Sequence, residues 1–274
     1  MNIPFWKMHG ASNDFVLVDD RSRTFPVADK AWIASVGARR TGVGCEGIIL
    51  IQPSTQADFR MRFFNPDGSE VEMCGNGARC VARLAAEIGA ALRQMTIDTV
   101  AGRLSATVDG DRVRLRMTEP KDWRIDQTLS VDGKTLSYHF VNSGVPHAVL
   151  FPDDLDRCDV RTLGRAVRYH ADFAPAGTNA NFVRVTGPNS IRVRTYERGV
   201  EDETLACGTG IVASALIAAR TGGATAPVQV TPASGDVLIV DFQSGPSGMT
   251  NVTLEGPAVH VFQGVLTYNG PAPR

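Results

Sequence analysis

The chain has 274 residues, 43% of them hydrophobic, and its 28 Lys and Arg nearly balance 29 Asp and Glu. This length can form one large domain or two of ordinary size, and the lack of a basic excess argues against a nucleic-acid-binding protein. The longest apolar run, Ile211–Ala219, is too short to span a bilayer, and the first residues lack the layout of a signal peptide. We therefore expect a globular cytoplasmic protein with no membrane or nucleic-acid partner.

In the first half of the chain, Phe59–Phe63 alternates apolar residues with arginines, the period of a strand with one wet face. A turn rich in glycine and acidic residues then leads to a Cys-Gly-x-Gly motif that begins at Cys74. A helix is predicted to follow over Ala78–Arg93. Further short strands are predicted at Gly47–Gln52, Met95–Thr99 and Arg112–Met117.

The second half repeats this order. Ile191–Glu197 alternates in the same way, a turn follows, and a second Cys-Gly-x-Gly begins at Cys207. The helix predicted after it, Ile211–Arg220, has almost no polar face and is therefore interpreted as buried. Short strands are predicted at Val237–Phe242 and Asn251–Leu254. The repeat indicates two similar α+β domains, each with a helix packed in or on a curved sheet, joined near residues 120–130.

Cys74 and Cys207 each precede a predicted helix, where unsatisfied N–H groups and the helix dipole favour an anion. That position should lower the pKa of a thiol from its ordinary value of about 8.5. Two such thiols on either side of one carbon could remove a proton from one face and return one to the other, inverting a stereocentre without a cofactor. From the residues alone, a thiol redox pair and a cysteine hydrolase remain alternatives.

The other three cysteines are interpreted as small buried hydrophobes, because neither half repeats their context. They are Cys45, Cys80 and Cys158. No paired Cys-x-x-Cys spacing and no histidine cluster predicts a metal site.

Three long segments closely resemble the diaminopimelate epimerase family: KMHGASNDFVLVD (7–19), FFNPDGSEVEMCGNGARC (63–80) and YERGVEDETLACGTG (196–210). The likeness extends to GVGCEGI, SGVPHAV, GTNANFV and GPAVHVFQG. It implies cofactor-independent interconversion of LL- and meso-diaminopimelate, in lysine and peptidoglycan-precursor synthesis, by a homodimer. It also implies two pseudo-symmetric domains, 1–122 and 123–274, each a curved, mostly antiparallel sheet around a central helix, with the final strand able to pack back on the first domain.

The resemblance also implies roles for single residues. Cys74 matches the base toward one stereoisomer and Cys207 the acid, with the roles exchanged in reverse, and His147 and Glu197 match positions that tune these thiols. The substrate-binding positions are Asn13, Asn65, Gly75, Asn76, Asn179, Glu197, Arg198, Gly208 and Thr209. Arg198 suits a distal carboxylate, because its planar fork binds one bidentately.

Two positions depart from the family pattern, and both thin the polar lining expected around the substrate. Val145 stands where many members have Asn, and Gly47 where some have Gln. These two positions affect the substrate lining and leave the thiol chemistry unchanged. The alternatives are another amino-acid racemase of the same superfamily, independent of pyridoxal phosphate, and a binding, scaffold or redox protein derived from it.

Overall fold

The structure is a computed structural model that describes residues 1–245 and 248–270. The chain forms two compact units. Unit 1 comprises Met1–Leu115 and the described residues from Gly256 onward, and unit 2 is Arg116–Glu255.

The described residues form strands β1–β18 and helices α1–α4, numbered in chain order, and one short 3-10 helix at Ala171–Phe173. The first ten elements are β1 Asn2–Gly10, β2 Asn13–Asp19, α1 Lys30–Gly37, β3 Gly47–Gln52, β4 Phe59–Phe64, β5 Glu70–Val71, α2 Gly75–Glu87, β6 Gln94–Thr99, β7 Gly102–Asp109 and β8 Arg112–Arg116. The remaining ones are β9 Lys121–Val131, β10 Lys134–Asn142, β11 Pro146–Leu150, α3 Val160–Arg168, β12 Asn179–Gly187, β13 Ser190–Glu197, β14 Asp202–Thr204, α4 Gly208–Arg220, β15 Val228–Thr231, β16 Leu238–Gly245, β17 Gly248–Pro257 and β18 Val259–Thr267.

In unit 1, helix α2 packs against strands β1, β2, β3 and β7. Most strand pairs are antiparallel, but β2 pairs parallel with β3, and β4 with β6. Every residue of β3 is buried, as a strand covered on both faces requires. Strand β18 pairs antiparallel with β1, so the last described strand belongs to the first unit.

Unit 2 repeats the plan. Helix α4 packs against β10–β13, β15 and β16, and every residue from Gly210 to Ala218 is buried. The parallel pairs recur at equivalent places, β11 with β12 and β13 with β15. The α+β fold predicted from the repeated motifs, with sheets that are mostly antiparallel around one long helix in each half, is confirmed.

The bounds predicted for one helix were wrong. The helix predicted over Ala78–Arg93 begins at Gly75 and ends at Glu87, because Gly89 adopts a left-handed conformation that stops it. Residues 120–130, predicted as the joint between domains, form most of β9. The segment pairs with β10 but buries only Leu129 and Val131. Its polar composition therefore does not indicate a strand.

The chain passes between the two units within β8 and β17. The compact units therefore divide after Leu115 and again after Glu255, whereas the sequence analysis drew one division after residue 122. Among the described helices, none combines the length and the apolar composition needed to cross a membrane.

Candidate active site

Cys74 and Cys207 occupy the same position in their units, the N-cap of α2 and of α4. Both have extended backbone angles, with φ −133° and −107°. Neither thiol caps the helix with its side chain. The first-turn N–H groups of a helix have no partner within the helix, so each thiol lies beside a group of donors that suits an anion.

The thiol of Cys74 is half-buried in unit 1. The side-chain amide of Asn13 donates to its Sγ at 3.8 Å, and the Oδ1 atom of Asn13 is buried with no hydrogen-bond partner. Beside the thiol, the helix begins at Gly75, where a Cβ would meet no atom within 4 Å. The first turn of α2 therefore has open space next to Cys74 for a small ligand.

Asn76 lies within this first turn of α2, and Asn65 lies in the turn that follows β4. The Oδ1 atom of Asn76 accepts a hydrogen bond of 2.8 Å from the fully buried Arg79, which fixes the first turn of α2. Asn65 follows β4, and its side-chain amide donates to the hydroxyl of Ser69 at 3.4 Å. Asn65 is half-buried in this turn.

A buried ionic cluster supports Asn13, and the sequence analysis missed it. Lys7 is buried, forms an ion pair of 2.6 Å with Asp14, and donates to the carbonyl of Gly44. Burial opposes the charge of Asp14, but hydrogen bonds from Arg39 and Lys7 outweigh it and lower the pKa of that carboxyl. The sequence feature that could have indicated this cluster was a lysine with largely apolar neighbours in its strand.

In unit 2, Cys207 is only 7% exposed and contacts two polar side chains. Its Sγ lies 3.6 Å from the hydroxyl of Thr209, and its thiol hydrogen-bonds with the carboxylate of Glu197. Burial raises the pKa of Glu197, although the hydroxyl of Thr204 donates to its Oε2 at 2.8 Å. A raised carboxyl pKa lies closer to that of a thiol, so a proton can be shared between Cys207 and Glu197 at low cost.

His147 is fully buried beside this pair. Its Nε2 atom lies 2.9 Å from the hydroxyl of Thr209, so the ring reaches Cys207 through Thr209. Burial and the positive charge of Arg198 lower the pKa of His147 to about 3, so the ring is neutral at physiological pH. The structure therefore brings His147, Glu197, Thr209 and Cys207 together.

Asn181 is a second polar residue that the sequence analysis missed. It is completely buried, and its side-chain amide lies 3.0 Å from Nδ1 of His147. The hydroxyl of Thr195 donates to its Oδ1 at 3.0 Å. The signal was the second asparagine of GTNANFV, an amide at an inward-facing position of a buried strand.

Asn179 begins β12, Arg198 directly follows β13, and the two residues are held together. Asn179 is buried, donates to the carbonyl of Pro146 at 2.9 Å, and accepts from the backbone N–H of Arg198 at 2.8 Å. Both ends of its side chain thus bond within the protein and position Arg198. The half-buried guanidinium of Arg198 donates to the carbonyl of Ala176 at 3.3 Å and keeps further donors for a ligand.

The absence of a side chain at Gly47 makes room for the ring of Phe63. A Cβ on Gly47 would lie 2.1 Å from the ring of Phe63, so this ring occupies the space of a larger residue 47. Phe63 packs edge-on against Phe15, with ring centroids 6.0 Å apart. At this point the unit has an aromatic ring in place of a polar side chain.

The remaining cysteines have no comparable setting. Burial raises the pKa of Cys80 to about 12 and also raises the pKa of Cys45 and Cys158. A thiol in such a position stays protonated at neutral pH. Within residues 1–245 and 248–270, no three His, Cys, Asp or Glu side chains are grouped so that they could hold a metal ion.

Comparison with known proteins agrees with this geometry. The sequence profile of the diaminopimelate epimerase family matches residues 5–123 and 139–261. The diaminopimelate epimerase of Aquifex aeolicus is 42% identical over 275 residues, covering 96% of this chain and 97% of its own, and that of Hydrogenobaculum sp. is 40% identical with 96% and 98% coverage. The chain belongs to the diaminopimelate epimerase family.

Solved structures show the same fold at much lower identity. A PhzF-family phenazine biosynthesis protein of Bacillus anthracis superposes with a TM-score of 0.74 at 15% identity, covering 98% of this chain and 100% of its own. At that identity the likeness establishes the fold alone. Membership of the diaminopimelate epimerase family therefore rests on the sequence.

Proposed function

We propose that this protein interconverts LL- and meso-diaminopimelate with Cys74 and Cys207 as its two acid/base thiols. The observation that carries the proposal is their equivalent place at the N-caps of α2 and α4, each beside a polar side chain that can stabilise or exchange the thiol proton. A cytoplasmic location fits an enzyme of lysine and peptidoglycan-precursor synthesis, and both are part of the proposal.

The reaction requires one thiolate and one thiol acting on opposite faces of the same α-carbon. The thiolate takes the α-proton and becomes a thiol, leaving a carbanion next to the α-carboxylate. The second thiol gives its proton to that carbanion and becomes the thiolate. Protons and charge balance, and no other reactant is consumed.

The carbanion needs electrostatic stabilisation, because an α-hydrogen of an amino acid is weakly acidic. Backbone N–H groups at the start of each helix supply it when they bind the α-carboxylate. We assign this role to the first-turn residues Gly75, Asn76, Gly208 and Thr209. Glycine comes first in both motifs, and a Cβ on Gly75 would meet no atom within 4 Å, which leaves room for a carboxylate there.

The first experiment is to incubate the reduced protein with LL-diaminopimelate in deuterium oxide and follow the products by NMR. We expect meso product with deuterium at one α-carbon only. No exchange, with both thiols shown to be reduced, would overturn the proposal. Racemisation of another amino acid in a parallel panel would favour the second candidate, a related racemase. The observation that favours it is the lack of a side chain at Gly47, whose Cβ would meet the ring of Phe63.

Arg198 is proposed to bind the distal carboxylate, assisted by Asn13, Asn65 and Asn179. We expect Arg198→Met to raise KM for diaminopimelate about 10- to 100-fold and to change kcat much less, because a charge-assisted bond far from the reacting carbon is lost. Steady-state kinetics measure both constants. Arg157→Met, at an exposed arginine, should leave both unchanged. A fall in kcat at constant KM would contradict a distal binding role.

We also propose that the protein is a homodimer and that β18 contributes to its interface. Three apolar side chains of this strand are about half exposed: Val261 at 55%, Phe262 at 50% and Val265 at 59%. The ring of Phe262 packs edge-on against Phe5, so it is held in place rather than free to fold away. Several exposed apolar side chains within one strand are typical of a surface covered by another chain.

Phe262→Glu is expected to convert the dimer to a monomer, because it places a charge in the apolar interface. Light scattering coupled to size exclusion measures the mass. Leu92→Glu is the matched control, since Leu92 is 81% exposed outside the strand and its variant should stay dimeric. A dimeric Phe262→Glu protein would remove β18 from the interface, and a monomeric parent would refute the homodimer.

A further inference from the structure

A chain of side-chain hydrogen bonds in unit 2 ends on the thiol of Cys207. The amide of Asn181 lies 3.0 Å from Nδ1 of His147, Nε2 of His147 lies 2.9 Å from Oγ1 of Thr209, and that hydroxyl lies 3.6 Å from Sγ of Cys207. His147 and Asn181 are fully buried, Cys207 is nearly so and Thr209 is half-buried, so water competes little for the bonds at the inner end of the chain.

The direction of every bond in this chain is fixed by one backbone carbonyl. The side-chain nitrogen of Asn181 also lies 3.2 Å from the carbonyl oxygen of Ala148, which can only accept. This orients the amide, so its nitrogen donates to Nδ1 of His147. The neutral ring must then carry its proton on Nε2 and donate it to Thr209.

The hydroxyl of Thr209 therefore receives a hydrogen bond from His147 and directs its own single proton elsewhere. The sulfur of Cys207 is the acceptor within reach. A sulfur that accepts such a bond is stabilised as a thiolate, since the charged form is the stronger acceptor. On its other side, the same thiol hydrogen-bonds with Glu197.

We infer that Asn181 and Thr209 are positioning residues that, together with His147, stabilise the thiolate of Cys207 through oriented hydrogen bonds while its proton lies on Glu197. The bond that breaks is S–H of Cys207, and the bond that forms is O–H on the Glu197 carboxylate. No net charge is created in the buried site. The relay's importance for catalysis rests on the proposed function, but the relay itself exists in the substrate-free protein.

The fold holds this chain rigidly. Asn181 also accepts from the hydroxyl of Thr195, and the buried Ser143 donates to the carbonyl of Thr209 at 2.8 Å. A Cβ on Gly210 would lie 2.5 Å from Oδ1 of Asn181 and 3.4 Å from the sulfur, so only glycine allows this packing. The charged and titratable groups around the relay are Glu197, which bonds Cys207, and Arg198, whose charge acts on His147.

The test is Thr209→Val, which removes the hydroxyl but keeps the backbone N–H proposed to bind substrate. The thiolate of Cys207 is measured without substrate as the ultraviolet absorbance difference between each protein and its own Cys207→Ala version. We expect the thiolate fraction at neutral pH to fall about tenfold, the scale of one hydrogen bond to a charged group. Thr209→Ser, which keeps the hydroxyl, should restore the parent value.

Nitrogen NMR of the His147 ring tests the other end of the relay. In the parent protein Nε2 should carry the proton, and Asn181→Asp should move it to Nδ1, because a carboxylate accepts where the amide donated. An unchanged thiolate fraction in Thr209→Val, or a proton on Nδ1 in the parent, would overturn the relay. Neither measurement uses diaminopimelate. A failed epimerase assay would therefore count against the proposed function without affecting the test of the relay.

Discussion

Cys74→Ala and Cys207→Ala are each expected to lower epimerase turnover by about 1,000-fold or more. Inversion needs a base on one face of the carbon and an acid on the other, and each variant lacks one of them. Both residues sit at helix N-caps and neither caps the helix through sulfur, so alanine should leave α2 and α4 in place. The measurement is meso product formed from LL-diaminopimelate, with circular dichroism as the check on folding.

The two variants should also differ from each other. A protein with one thiol can remove a proton from the face it contacts and return a deuteron to that same face. Cys207→Ala should therefore exchange the α-hydrogen of one stereoisomer without inverting it, and Cys74→Ala should exchange the other. Cys158→Ala, which changes a thiol outside both motifs, should keep full turnover. Appreciable inversion by either single variant would refute the two-thiol assignment.

The repeated architecture was predictable because it is encoded in local signals. A strand with alternating burial, a turn and Cys-Gly-x-Gly occur twice, and β4 and β13 fall where this alternation placed them. The ends of helices and the joint between domains were harder to predict from local signals. The end of α2 depends on one glycine with a left-handed backbone, and β9 is recognisable mainly through its pairing with β10.

The place of the two thiols at helix starts was likewise predictable from local motifs, whereas their partners followed only from the family resemblance. Backbone symmetry gives Cys74 and Cys207 the same place on a helix, whereas the side chains around them come from different strands. Cys74 has the amide of Asn13, and Cys207 has Glu197 and Thr209. Contacts of this kind join residues far apart in sequence, and no local periodicity records them.

Buried polar residues explain most of what the sequence left undetermined. Lys7 and Asn181 lie within largely apolar strands, and each is compatible with burial only because specific partners satisfy it. The Lys7 cluster supports the strand that carries Asn13, and Asn181 orients His147. In unit 1 the buried polar group therefore supports the strand of the residue that touches the thiol, and in unit 2 it acts on the thiol through His147 and Thr209.

Glu197→Gln is expected to lower kcat about 100-fold with little change in KM. Glutamine has nearly the same shape and can still hydrogen-bond with Thr204, but it cannot take the proton of Cys207. Loss of proton exchange should therefore slow the chemical step more than substrate binding. Glu119→Gln, at an exposed carboxylate paired with Arg116, is the matched control and should behave like the parent.

The pH dependence gives Glu197→Gln a second readout, and its sign follows from burial. Burial raises the pKa of Glu197, so this carboxyl stays protonated to higher pH than an ordinary glutamate. As the pH falls through that raised value, the carboxylate that accepts the thiol proton is lost, and kcat should decline on the acidic side.

His147 does not contribute there, because its pKa of about 3 keeps it neutral until far lower pH. The acidic decline should disappear in Glu197→Gln, and a variant that keeps both the parent kcat and the parent acidic limb would show that Glu197 does not exchange protons with Cys207.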